Sequence, residues 1–119
     1  MSDKFKVLYY VNQFFGQVGG EDKADIPPEY RAEKIGPAVG FEGHLNGQGE
    51  VVGTIICGDN YFNENKNEAL TFILNQVEKL APDVFVAGPA FNAGRYGVAC
   101  GETCKAVAEK FHIPVEKHQ

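Results

Sequence analysis

The chain has no cluster of lysine or arginine, and its formal net charge over 119 residues is −5. That balance argues against nucleic acid or an anionic membrane surface as a partner. Cysteine is scarce, with three residues and no CxxC. One thiol is therefore left over, no disulfide framework exists, and a reducing cytoplasm is the expected compartment. No apolar run approaches the length of a membrane span, and MSDKFKVLYY lacks a secretory apolar region. Internal repeats and low-complexity tracts are absent. Neither GxGxxG nor a Walker loop occurs, so no nucleotide fingerprint is present. Apolar residues make up 44%, ordinary for one globular domain with a real core.

What is present alternates between strand and helix patterns. FKVLYYV (5–11), VVGTIIC (51–57) and VFVA (84–87) are continuous apolar runs, as expected for strands covered on both faces. Ile113-Pro114-Val115 opens a fourth. Leu70, Ile73, Leu74, Val77 and Leu80 form a helical stripe, predicting a helix from about Asn63, its N-cap, to Leu80. Cys100, Cys104, Val107 and Phe111 predict a last helix over about 97–111, and a short helix is placed near 37–46. The expectation is a single α/β domain over 1–119. It is a three-layer αβα sandwich on a mostly parallel four-stranded sheet in the flavodoxin-like order 2-1-3-4. Three polar loops, 16–29, 58–65 and 88–97, then leave the C-terminal ends of strands, where such sheets place their ligands.

Within those loops, Arg95 offers a planar fork of donors for a carboxylate or phosphate, or is simply a solvated side chain. Asp59 and Glu64 form a carboxylate pair that holds an ammonium or moves a proton, or that caps the helix. Asn60 and Asn92 suit turn positions or a site. Tyr61, Phe62, Phe91 and Tyr96 either wall a small pocket or pack the loops. Glu21 and Asp22, beside Gly19-Gly20, read as lid residues or as a solvated acidic loop. Cys100 and Cys104 read as buried apolar thiols, since a metal site lacks two further ligands. Cys57 ends a strand beside a polar loop; a structural role is favoured over a reactive thiol, because nothing basic adjoins it in sequence.

The segments GGEDKADIPPE, ICGDNYFNEN and AGPAFNAGRYGVACG resemble the N-terminal part of the selenoprotein subunit of component B of glycine, sarcosine and betaine reductases, and the related proline reductase subunits. The likeness runs over nearly the whole chain. It implies an oxidoreductase complex of amino-acid fermentation that cleaves a C–N bond in a small amino acid or amine. A pyruvoyl group on a partner component B subunit handles the amine, selenoprotein A receives the cleavage product, and a third component releases acetyl phosphate. The family protein is longer and carries a selenocysteine that this sequence lacks. The chain is therefore expected to be the N-terminal fragment of a longer architecture, without a cofactor of its own and inactive alone. The resemblance favours Asn60, Asn92 and Arg95 as substrate-binding residues. Tyr96 and Glu21 join them, with Asp59 and Glu64 acting near the amine. The rival reading is a truncated relative that binds a small anion or assembles with a partner. An open edge strand would also permit a homo-oligomer.

Overall fold

The computed structural model describes residues 4–89 and 94–117. Its strands are β1 (Phe5–Asn12), β2 (Glu29–Arg31), β3 (Gly49–Cys57), β4 (Val84–Ala87) and β5 (Val115–Lys117). Its helices are α1 (Pro37–Gly43), α2 (Asp59–Glu64), α3 (Lys66–Leu80) and α4 (Gly94–Phe111). One sheet runs β2-β3-β1-β4-β5. The four strands expected from sequence keep their order, 2-1-3-4, and pair in parallel.

The sheet differs from expectation in having five strands, because β2 pairs antiparallel with the outer edge of β3. EYR carries two charges in three residues and follows two prolines, so nothing local marks it as a strand. Its place comes from across the sheet. The Tyr30 hydroxyl donates to the Val52 carbonyl at 2.9 Å, where the β1–β3 register skips a residue between Val51 and Gly53.

Alternation along β1 sorts the core into two layers. Leu8 and Tyr10 pack with Ile55, Phe62, Ile73, Cys100 and Val107 under α2, α3 and α4. Val7, Tyr9 and Val11 pack with Ile35, Ala38 and Ile56 on the face that carries α1. Residues 7–11 are all fully buried, which explains why β1 lacks polar alternation. Each large apolar side chain so removed from water contributes roughly 1.5–3 kcal/mol.

Two helix boundaries also depart from the sequence reading. The expected 58–65 loop is mostly α2, and the long helix begins at Lys66, with Asn65 rather than Asn63 at its N-cap. The break sits at Asn65, whose φ of −131° and ψ of 48° interrupt the helical path. The last helix begins at Gly94, so Arg95 and Tyr96 stand in its first turn rather than in a loop.

Candidate functional site at the carboxyl ends of the strands

β1 ends in Asn12, and Gln13 follows it; both polar residues are buried. The Asn12 side-chain oxygen accepts the Phe15 N–H at 2.9 Å, turning the chain, while its Nδ2 donates to Asp59 Oδ2 at 2.9 Å. Gln13 Oε1 accepts the Asp59 N–H at 3.0 Å. The next two N–H groups of α2, from Asn60 and Tyr61, donate to the Ala24 carbonyl at 2.8 and 3.0 Å. Gly58 N–H reaches the Ile26 carbonyl at 3.0 Å. The donors that open a helix are thus satisfied by β1 and by the far end of the long loop. Glycine is needed at 58 because a Cβ there would lie 2.2 Å from the Ala24 carbonyl oxygen.

Asp59 is held in a buried position, 7% exposed. Its Oδ1 has no hydrogen-bond partner among the described residues. Burial raises its pKa above the ordinary carboxylate value; the Asn12 bond and the Arg95 charge pull the other way, and Glu21 adds to the rise. On α4, the Tyr96 hydroxyl is likewise buried, beside the Cys100 thiol and within electrostatic reach of Asp59. Its ring is covered by Phe15, with centroids 5.6 Å apart. The Tyr10 hydroxyl is fully buried on the same layer, beside the Cys57 thiol. Burial first, then neighbouring acidic groups, holds both phenols well above their usual range.

The Arg95 side chain lies within electrostatic reach of Asp59. Arg95 Nη2 donates to both carboxylate oxygens of Glu21, each at 2.7 Å. Glu21 stands on a short 3-10 turn, Glu21–Lys23, and its side chain is 73% exposed. An exposed pair of this kind adds little to stability. Its consequence is positional: a carboxylate already occupies the Arg95 guanidinium.

The structure brings Asp59, Tyr96, Arg95 and Glu21 together. It does not bring Glu64 to Asp59. The two lie five positions apart on α2, about 140° around the helix axis, with Asp59 buried and Glu64 exposed. Asn60 donates through Nδ2 to Asp25, so it ties α2 to the long loop. Phe62 lies in the core and Tyr61 packs against it. Asn92 and Phe91 fall outside the described residues. Cys57, Cys100 and Cys104 are free and buried. Burial pushes the first two thiols up to about 12 and the third to about 11, so the structural reading holds for each. Sequence reasoning missed Tyr10, Asn12 and Gln13. Asn-Gln directly after an apolar strand was a usable signal for the last two; Tyr10 reads only as core.

Among the described residues no group of three or more His, Cys, Asp or Glu could hold a metal ion. No helix among them is long and apolar enough to cross a membrane.

Comparison with known proteins gives one consistent answer. The family described as glycine/sarcosine/betaine reductase selenoprotein B matches residues 4–117. A glycine reductase complex component B subunit gamma from Carboxydothermus hydrogenoformans is 54% identical over 111 residues, 93% of this chain and 26% of the relative. A sarcosine reductase complex component B subunit beta from Peptoclostridium acidaminophilum is also 54% identical over 111 residues, with the same coverage. A betaine reductase complex component B subunit beta from the same organism is 56% identical over 110 residues, 92% of this chain and 25% of the relative. The chain thus spans about a quarter of the length of these relatives. No solved structure matches it. The chain belongs to the glycine/sarcosine/betaine reductase selenoprotein B family.

Proposed function

We propose that this chain is a single α/β domain of a substrate-specific component B subunit, and that it forms a pocket for a small amino acid in reductive C–N bond cleavage. One observation carries the reading. A buried carboxylate with a free oxygen, Asp59, and a guanidinium, Arg95, come from two different strand ends close enough for the Arg95 charge to act on the carboxylate. That is the charge pattern of a zwitterion in reverse. Arg95 takes the substrate carboxylate and Asp59 stands at the amine, holding or accepting a proton. Tyr96 lines the floor, and Glu21 acts as the lid carboxylate that the substrate displaces. Asn60 fixes the loop that carries Glu21, and Glu64 serves the outer surface of α2.

The covalent chemistry comes from outside the chain: a pyruvoyl group on a partner subunit and the selenocysteine of the family supply it. The chain's own residues bind, orient and hold a proton. Phe14 and Val98, 63% and 58% exposed beside the site, suit contact with such a partner. Three free buried thiols fit a reducing cytoplasm.

The test is calorimetric titration of the chain with glycine at neutral pH. Binding in the millimolar range is expected, since immobilising a small ligand costs at least about 4 kcal/mol. Arg95→Ala should abolish it. Glu21→Gln, which removes the competing charge, should tighten it several-fold. Unchanged binding in Arg95→Ala, or weaker binding in Glu21→Gln, would contradict the assignment.

A further inference from the structure

The core layer under α3 and α4 closes unevenly. On β1 its members Leu8 and Tyr10 are fully buried. At β5 it thins to Phe111, Ile113 and Val115, which pack against it but stay half-buried. Beside them an open groove of about 310 Å³ lies between the carboxyl ends of α3 and α4. Val77, Ala81, Pro82, Phe111 and Ile113 line it, with Glu78 the one charged member.

The same place carries a second kind of unfinished surface. β5 is the last strand of the sheet on that side, and no strand lies beyond it among the described residues. Ile113 lines the groove and stands two residues before β5, so the groove and the strand edge adjoin. A groove of this kind takes an apolar side chain, and a strand edge takes main-chain donors and acceptors. Together they fit an extended segment that adds a strand and sets an apolar side chain into the groove. Both features lie toward the amino ends of β4 and β5, at the opposite end of the sheet from Asp59 and Arg95, which follow the carboxyl ends of β3 and β4.

A second copy of the chain is a poor occupant. Two-fold antiparallel pairing about the middle of β5 would set Glu116 against Glu116, and like charges directly opposite destabilise a strand pair. The lengths of the relatives point elsewhere. The match takes in 93% of this chain but 26% of the glycine reductase subunit, and 92% against 25% of the betaine reductase subunit. About three quarters of each relative therefore lies outside this domain, joined to it in one polypeptide. We infer that the edge of β5 and the groove beside it form the seat for a strand-forming segment from that remaining part of a family-length component B subunit. This rests on membership of the family and not on the proposed amino-acid pocket.

The experiment is hydrogen exchange read by mass spectrometry on this chain and on the whole Carboxydothermus hydrogenoformans subunit, each isolated, with rates corrected for sequence. Amides over 77–82 and 111–117 should exchange at least about tenfold more slowly in the longer protein, while those of α1 differ little. A lysine at the position aligned with Ala81 should erase that gain in the relative. Ala81→Lys in this chain, where the residue is exposed, should leave Tm within about 3 °C of the parent. Sedimentation of this chain should give a monomer. Equal exchange in the two proteins, a gain confined to α1 and Phe14, or a gain that survives the lysine overturns the inference. Self-association of this chain that itself protects 111–117 also overturns it, because the occupant is then a second copy. The amino-acid pocket stands or falls separately, by its own titration.

Discussion

Replacing Gly58 by alanine should destabilise the chain by several kcal/mol, and the damage should reach the site. An alanine Cβ would fall 2.2 Å from the Ala24 carbonyl oxygen, 2.6 Å from its carbon and 2.8 Å from the Ile26 nitrogen. All three are backbone atoms, so no side chain can swing away. Relief requires the 24–26 segment to retreat. That segment accepts three N–H bonds, from Gly58 to Ile26 and from Asn60 and Tyr61 to Ala24. At about 0.5–1.5 kcal/mol each, their loss amounts to about 2–4 kcal/mol. For a domain of this size that lowers Tm by about 8–16 °C. Thermal denaturation followed by circular dichroism reads the change directly. Gly101→Ala is the control: a Cβ there meets nothing within 4 Å, in the interior of α4. That substitution should raise stability by about 0.5–1 kcal/mol. Retreat of 24–26 also carries Glu21 away from Arg95, so Gly58→Ala should shift the Arg95 side-chain resonance. A Tm within a degree or two of the parent would refute the docking argument.

Two further outcomes follow from the buried groups. Asp59 titrates higher in the folded chain than its ordinary value of 3.8. The folded state thus holds its proton longer, and stability falls as pH rises from about 3.8 through the raised pKa. Asp59→Asn lacks that loss, so its stability relative to the parent should improve between acid and neutral pH in urea unfolding, while glycine binding is lost; a constant difference across that range would contradict this. The lowered pKa of Glu42, caused by Lys34 and the Val51 N–H, acts in the opposite sense but cancels in the comparison. With Cys57 and Cys100 at about 12 and Cys104 at about 11, iodoacetamide at pH 8 should label none of them until the chain unfolds. Selective native labelling of Cys57 would revive it as a reactive thiol.

The parallel core was legible because burial on both faces leaves a direct mark in composition: five consecutive apolar residues in β1, four in β4, and a clear helical stripe through α3. β2 was not, because Glu29–Arg31 owes its pairing to the edge of β3 and to Tyr30 reaching Val52. α2 was read as a loop for a related reason. Its opening donors are answered by Gln13 and Ala24, residues more than thirty positions away. At the site, Arg95, Tyr96 and Asp59 could be picked from residue type and from their places after strand ends. The Glu21–Arg95 pair joins residues 74 apart, a contact that no local pattern in the sequence marks. Glu64 looked like a partner of Asp59 from proximity in the chain; the helix turns it away.

An NMR map of the isotopically labelled chain titrated with glycine decides whether the pocket exists. Concerted, saturable shifts are expected at Asn12, Gln13, Gly58, Asp59, Arg95 and Tyr96, together with release of the Glu21 side chain, all absent in Arg95→Ala. Shifts that instead gather at the apolar groove of Val77, Ala81, Phe111 and Ile113, or that persist in Arg95→Ala, would contradict it.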